Sequence, residues 1–396
     1  MADELRIMIA AGGTGGHVFP AIAIAEAIRE QKPKARFLFV GTRDRMEWKA
    51  VPSAGFDIVP LWISGLHRRL TLKNLLLPLK LLVSLWQSRT YIRKFRPHAM
   101  ISCGSFVAGP VGWMAARYQI PLFLQEQNSF PGITNRKLAG NAEYIFTAFK
   151  QADQWFPAEK TICAGNPVRK SLMAYARDPV SMEKARAHFN LNPDRPVLLV
   201  MGGSGGARSI NEAIIANLAS LHDNDQYQII WQCGEHYMEE IKERLHQSRR
   251  SVEDYGHLRL YGFMNDITEA WAAADVIVSR AGAITCSELM ATGKAGILVP
   301  SPWVAGDHQT RNAEALADQG AAVLLKDDEL KERLSGTIRS LMDNPSRRKK
   351  IEETIAGLAK PDAADSIAKT ILERIQEKNE GNSSPDTDKK KTKKSV

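Results

Sequence analysis

Arg6-Ile7-Met8-Ile9-Ala10-Ala11-Gly12-Gly13-Thr14-Gly15-Gly16-His17 is a short apolar run that stops at four glycines around one threonine and closes on a histidine. The run predicts a buried strand over residues 6–11. Glycines at a strand end let backbone N–H groups approach a ligand closely, and a helix starting just beyond aims its positive end at the same point. Pro20 near a first turn, with good helix formers after it, predicts that helix over 21–31. The stretch therefore predicts an anion cradle with an imidazole at its lip. A glycine loop by itself also serves plain turn geometry, so the rest of the chain has to decide.

The same pattern occurs again about 190 residues later. Residues 196–201 (Pro-Val-Leu-Leu-Val-Met) predict a strand that ends in Gly202-Gly203-Ser204-Gly205-Gly206, and a helix follows over about 209–221. Around the first loop, short apolar runs at 35–41, 57–61, 99–103, 122–125 and 145–148 alternate with helical stretches at 72–95 and 109–118. Around the second, strands are predicted at 227–232, 258–261, 276–279 and 295–299. Continuous apolar strands separated by helices indicate parallel sheets covered on both faces. The expectation is an α/β protein of two Rossmann-like doubly wound domains facing a central cleft, joined near Gly165-Asn166-Pro167-Val168-Arg169. Neither loop spells GxGxxG, no acidic residue ends a second strand at the ribose distance, and neither contains GK[ST]. Ligands in such sheets bind beyond the carboxyl ends of the strands, where both glycine loops fall.

With 396 residues, 44% of them hydrophobic and 24% charged, the chain has the composition of a globular protein of two domains. Cys103, Cys163, Cys233 and Cys286 form no CxxC pair, which favours a reducing compartment over a disulfide framework or a zinc site. The opening Met1-Ala2-Asp3-Glu4 carries no apolar leader, so export is not expected. The net charge of +9 is unevenly spread: residues 58–125 contain no acidic side chain but hold Arg68, Arg69, Lys73, Lys80, Arg89, Arg93, Lys94, Arg96 and Arg117. Within them, residues 75–86 are strongly apolar but broken by Pro78, Lys80 and Ser84, too short to span a bilayer, which takes ~20 apolar residues. Arg68, Arg69 and Lys73 with Leu75, Leu76, Leu79, Leu82 and Trp86 fit a surface that beds into an anionic membrane, although a core helix with a basic outer face would look similar. No nucleic-acid recognition motif accompanies the charge.

Polar clusters mark the ends of several strands. Ser279-Arg280-Ala281-Gly282 leads into a helix that carries Glu288, either a ribose ligand or an ordinary acidic residue near a helix N-terminus. Asp307, His308, Gln309 and Asn312 concentrate hydrogen-bonding groups suited to a sugar, without further metal ligands beside them. Gln125-Glu126-Gln127-Asn128-Ser129 is either a polar site or a solvated loop.

Taken together and in order, these motifs resemble the MurG family, the bacterial undecaprenyl-diphospho-muramoylpentapeptide β-N-acetylglucosaminyltransferases. The matching segments are 12–17, 125–128, 165–169, 202–204, 280–288 and 307–312, and the resemblance runs from about residue 6 to 359. It implies a GT-B fold and inverting transfer of N-acetylglucosamine from UDP-N-acetylglucosamine to the C4 hydroxyl of the muramoyl sugar in lipid I, giving lipid II. His17 would then be the catalytic base. Thr14, Gly15, Gly16, Asn128, Arg169, Ser204, Met264 (through its backbone), Glu288 and Gln309 would bind the donor, and Gly13, Thr14 and Gly104 the acceptor diphosphate. No obligatory metal or cofactor is implied. Residues 1–166 would form the acceptor and membrane-docking domain, 167–346 the donor domain, a helix over about 347–377 would pack back on the first domain, and 378–396 would be a disordered basic tail. Implied partners are UDP-N-acetylglucosamine, lipid I, an anionic phospholipid surface at the cytoplasmic face of the inner membrane, and a cell-wall or division complex, but no nucleic acid. Ser105 and Phe106 stand where the family usually has glycine and tyrosine. The same fold also serves UDP-N-acetylglucosamine 2-epimerases and diacylglycerol glycosyltransferases, which remain the alternatives.

Overall fold

The computed structural model of the chain describes residues 4–65, 75–168, 170–176, 180–222, 227–247, 258–265 and 267–383. Two parallel sheets follow one plan. The first has the order β3-β2-β1-β4-β5-β6-β7, from β1 (Arg6–Ala10), β2 (Arg36–Gly41), β3 (Asp57–Pro60), β4 (Ala99–Ser102), β5 (Leu122–Glu126), β6 (Tyr144–Thr147) and β7 (Thr161–Cys163). The second has the order β10-β9-β8-β11-β12-β13, from β8 (Val197–Met201), β9 (Gln228–Gln232), β10 (Leu258–Tyr261), β11 (Val276–Ser279), β12 (Ala295–Leu298) and β13 (Val323–Leu324). The α/β expectation holds. The two edge strands β7 and β13 had no sequence signal, because runs of three and two residues are too short to show a period.

Strand alternation divides each core into two layers. On β1, Ile7 and Ile9 pack with Val18, Ala21 and Ile28 of the helix Gly15–Gln31, while Met8 and Ala10 pack with Ile92, Val107 and Val111 on the other face. On β8, Leu198 and Val200 face one layer, and Val197, Leu199 and Met201 the other. Every one of these β1 and β8 side chains is buried on both faces of its sheet, which is why the strands read as unbroken apolar runs.

Two helix boundaries differ from expectation. The first helix starts at Gly15 rather than near residue 21, so His17 lies in its first turn and Pro20 lies inside it. Glycine, phenylalanine and proline weaken any local helix signal there, and tertiary packing of Val18 decides the start. The helix expected over 109–118 begins at Ser105, whose φ of 65° places the turn directly after β4. Of the helical stretch expected over 72–95, Leu77–Phe95 is helical and residues 72–74 lie outside the described part.

The chain returns to the first domain later than about residue 347. The helix Pro345–Ala356 stays with the second domain, with Ile351 and Ile355 buried in its two layers. The helix Ala363–Ser383 then lies along Gly15–Gln31, burying Ile367, Ala368, Ile371 and Ile375 in the first domain's core. Residues 384–396 lie outside the described part.

An ionic clamp fastens this returning helix. Glu143, just before β6, accepts from Arg374 at 3.0 and 3.1 Å and from Lys378. Burial raises the Glu143 pKa, but hydrogen bonds and charge from Lys378 and Arg374 outweigh it and hold the group below its ordinary 4.5. A carboxylate whose folded pKa is depressed adds stability above its unfolded pKa and loses that stability as pH falls through the folded value. Glu143→Gln should therefore lower stability by about 1 kcal/mol at pH 7, given the partial exposure of all three side chains. Denaturant titrations of the two proteins should converge as the pH is taken below 4.5.

Candidate active site between two glycine loops

Both sheets reverse their strand order at one position, between β1 and β4 and between β8 and β11. Helices leaving neighbouring strands at such a point go to opposite faces, so a crevice opens beyond the strand ends. Each crevice here holds one of the glycine loops.

At the first, Gly12–Gly16 runs from β1 into the helix Gly15–Gln31. Gly13 has a φ of 89°, a conformation side chains resist. Thr14 Oγ1 lies 3.0 Å from His17 Nδ1. The imidazole lies over the backbone after β4: a Cβ on Gly104 would stand 3.2 Å from His17 Cδ2 and 3.4 Å from Asn135 Nδ2. Thr14, His17 and Gly104 are thus brought together, with Phe106 beside them, its ring 3.5 Å from where a Gly13 Cβ would be. Gly13 gives its N–H to Glu47 Oε2 at 3.1 Å, so the loop N–H groups turned outward are those beyond it.

At the second crevice, Gly203 and Gly206 have φ of 86° and 72°, and a Cβ on Gly206 would fall 1.9 Å from the Cys233 carbonyl oxygen. Ser204 is exposed, ahead of the N-terminus of the helix Arg208–His222. Arg280, leaving β11, fixes that helix start. It donates to Ser209 Oγ at 2.7 Å, to the carbonyls of Val299 and Pro300 at 3.3 and 3.2 Å, and to Asp327.

A hydrogen-bonded seam holds the two crevices opposite each other. Asn312, fully buried on the helix His308–Ala317, accepts from Ser129 N at 2.9 Å and Ser129 Oγ at 3.1 Å, and donates to Asn128 Oδ1 at 3.2 Å. Asn166 donates to Ser287 Oγ at 2.9 Å and accepts from Gln125 at 2.7 Å. Glu126 shapes the Asn128 loop from inside, accepting from Asn128 N (3.1 Å), Gly132 N (3.1 Å) and Asn135 Nδ2 (2.9 Å). Phe130 stacks under Arg311, whose guanidinium lies 4.2 Å from the ring.

His308 and Gln309 start the helix His308–Ala317 on the second-domain side of this seam. Gln309 Oε1 accepts from Ser301 N at 2.8 Å, leaving its amide protons for another partner. His308 Nδ1 is buried and meets no hydrogen-bond partner among the described residues. Glu288 sits buried on the helix Ala283–Thr292. Met264 has its side chain in the core, so only its backbone can face a ligand, and Phe263 beside it is exposed. Burial pulls the His17 pKa down from 6.5 to about 4, and charge on His308 acts in the same direction. His17 is therefore a neutral imidazole at pH 7, able to accept a proton.

Arg169, Arg68, Arg69 and Lys73 lie outside the described residues. Leu75, Leu82 and Trp86 are 74%, 66% and 66% exposed, and Leu76, Leu79, Trp62 and Trp113 also stand open. The core-helix alternative thus fits only the opposite side of Leu77–Phe95, where Ser84, Ser88 and Ile92 are buried. Sequence reasoning missed Glu47, Asn135 and the seam role of Ser129. Glu47 and Asn135 are single polar residues without a motif, Ser129 stands in the polar run 125–129 with nothing local to show its partner, and only the fold gives each its contacts.

Two doubly wound domains with glycine-loop crevices facing across a buried polar seam, and a histidine in one of them, are the architecture of the GT-B class of nucleotide-sugar enzymes. Residues 7–147 match the glycosyltransferase family 28 N-terminal domain, and residues 197–371 the family's C-terminal domain. The chain is 41% identical to a UDP-N-acetylglucosamine–N-acetylmuramyl-(pentapeptide) pyrophosphoryl-undecaprenol N-acetylglucosamine transferase of Bacteroides thetaiotaomicron, over 96% of this chain and 100% of that protein. It is 43% identical to the protein of that name from Salinibacter ruber, over 93% and 96%. The crystal structure of MurG from Acinetobacter baumannii superposes with a TM-score of 0.73 at 28% identity, covering 93% of this chain and 99% of that one. The chain belongs to glycosyltransferase family 28 and, within it, to the MurG family.

Removing the seam's central side chain should loosen the cleft. Asn312→Ala leaves the buried Ser129 N–H without its acceptor and should destabilise the protein by about 1–3 kcal/mol. Chemical denaturation reads that cost, and small-angle scattering should show a wider spread of domain separations.

Proposed function

We propose that this cleft transfers N-acetylglucosamine from UDP-N-acetylglucosamine to the C4 hydroxyl of the muramoyl sugar in lipid I, with inversion, producing lipid II and UDP. The observation that carries this reading is the placement of His17, in the first turn of the helix Gly15–Gln31, with Nδ1 3.0 Å from Thr14 Oγ1 and its ring against the Gly104 backbone at the first crevice. His17 takes the proton from the acceptor hydroxyl as that oxygen attacks the anomeric carbon. Inversion needs the base and the leaving group on opposite faces of the sugar, and a cleft with one crevice in each domain supplies two faces. UDP leaves toward Gly202–Gly206, where loop N–H groups, Ser204 and the positive end of the helix Arg208–His222 offset its developing charge. Glu288 holds the ribose, the backbone at Met264 the uracil, and the amide protons of Gln309 the sugar. Asn128, and Arg169 from the hinge, complete the donor site.

The acceptor's diphosphate rests on Thr14 and Gly104, with Gly15 and Gly16 at the start of the helix Gly15–Gln31 turned to the donor, while Gly13 shapes the loop because Glu47 takes its N–H. Phe106 has no hydroxyl, so it contributes an apolar wall there. The lipid carried by that diphosphate calls for a membrane surface. No helix among the described residues is long and apolar enough to cross a bilayer. The exposed Leu75, Leu76, Leu79, Leu82 and Trp86 bed into the interface instead, with Arg68, Arg69, Lys73 and the rest of the acid-free segment drawing in anionic lipid at the cytoplasmic face of the inner membrane.

Incubating the protein with labelled UDP-N-acetylglucosamine and a short-chain lipid I analogue should place label in lipid II. Appearance of UDP-N-acetylmannosamine, or of label on diacylglycerol alone, would refute the assignment. His17→Ala should cut kcat by about two to four orders of magnitude with donor affinity retained. Because only the neutral imidazole accepts a proton, the acid limb of the kcat profile should fall near pH 4 rather than 6.5. The double change Leu82→Glu with Trp86→Glu should weaken sedimentation with anionic vesicles about tenfold or more, since each buried side chain is worth about 1.5–3 kcal/mol. Unchanged sedimentation would return that face to a purely structural role.

A further inference from the structure

We propose that Glu47 is a positioning residue for this reaction, holding from beneath the glycine loop that carries Thr14 and His17. The proposal rests on the reading of His17 as the base. Glu47 opens the short helix Glu47–Ser53 and is fully buried, an unusual place for a carboxylate. Both of its oxygens are engaged. Oε2 accepts from Gly13 N at 3.1 Å, and Oε1 accepts from Thr42 N at 3.0 Å and Thr42 Oγ1 at 2.7 Å. Its hydrogen-bond donors among the described residues are two backbone groups and a hydroxyl, none of them a cation. The side chain thus joins the end of β2, through Thr42, to the end of β1, through Gly13.

Sterics narrow the choice of residue at this place. A Cβ on Gly41 would lie 2.7 Å from Glu47 Cγ, so the side-chain stem fills the room beside β2. A Cβ on Gly12 would lie 2.7 Å from Glu47 Oε1 and 2.9 Å from Val107 Cγ2. Glu47 thus shares with Val107 and Ile58 the space that a side chain at Gly12 or Gly41 would need. Aspartate is one methylene shorter and cannot reach both Gly13 and Thr42. Glutamine turns an NH2 toward one of the N–H donors and forces the loop to move.

Gly13 is followed directly by Thr14, whose hydroxyl sits 3.0 Å from His17 Nδ1. Release of Gly13 therefore shifts the threonine that orients the imidazole and lifts the ring from the Gly104 backbone. The other titratable groups near the imidazole are His308 on the opposite domain and Glu126, which stands behind Asn135. Neither touches the Glu47 hydrogen bonds.

The test compares Glu47→Gln and Gly12→Ala with the wild-type chain, in turnover and in the titration of His17 followed by NMR. In Gly12→Ala, made together with Val107→Ala to relieve the 2.9 Å contact with Val107, the new methyl displaces the Glu47 carboxylate while leaving residue 47 intact, so it decides the matter if Glu47→Gln does not fold. Both should lower kcat about 100-fold, on the order expected for misplacing a catalytic group by about 1 Å. Donor KM should stay close to the wild-type value. The His17 titration and the acid limb of kcat should both rise from near 4 toward 6.5 as the ring gains solvent. A structural role alone lowers the melting temperature and leaves the His17 titration and kcat of the folded protein where they were, and that result would overturn the proposal. The NMR readout needs no acceptor. Wild-type protein that fails to make lipid II sinks the transfer reading, while the titration still decides the role of Glu47.

Discussion

Each sheet has one point where the strand order reverses, and the location of the site depends on that topology. Because β1 sits between β2 and β4, the chain leaving it and the chain leaving β4 turn to opposite faces. In the gap between those exits, backbone N–H groups of the loop and the start of the helix Gly15–Gln31 converge. His17 on one exit and Gly104 on the other meet there. The second sheet repeats the geometry with Gly202–Gly206 after β8 and Arg280 after β11. Two such gaps, held opposite each other, make a cleft with a glycine loop at each side.

Electrostatics follow from how tightly that cleft is closed. An imidazole in open solvent would be partly protonated near pH 6.5, and the base role proposed for His17 needs the neutral ring. Burial against Gly104 and the neighbourhood of His308 keep His17 neutral down to about 4. The seam through Asn312, Ser129, Asn166 and Ser287 maintains that burial, because it sets how near the second domain stands. Local loop conformation, held by Glu47, and global domain placement, held by Asn312, thus act on the same ring.

The returning helix Ala363–Ser383 explains how the halves remain one molecule. It begins just after Lys360, whose Cβ stands 2.4 Å from where a Cβ on Gly165 would be, so the two crossings between domains pack against each other. Ile367 and Ile371 then complete the first domain's core, and Glu143 clamps the far end. The first domain is therefore completed by the helix Ala363–Ser383, so its core and the crevice above it depend on residues far apart in the chain.

Much of this was legible in the amino-acid order. Buried parallel strands leave unbroken apolar runs, and close backbone approach leaves glycines, so both sheets and both loops could be placed from local sequence alone. The polar runs at 125–129 and 307–312 were equally visible, though not that they bond to each other. Other features carried no signal. The start of the helix at Gly15 runs against local propensity, β7 and β13 are too short for a period, and the return begins past Ala356 because Ile351 and Ile355 find partners in the second domain. Glu47 is one acidic residue in an unremarkable turn until the fold brings Gly13 and Thr42 to its oxygens. Sequence alone determined which strand ends carry glycine loops followed by a helix, since that depends on residues adjacent along the chain. Only the tertiary structure decided which side chains hold those segments in register and how basic His17 is, because hydrogen-bond partners, steric exclusion and burial come from residues far apart in the chain.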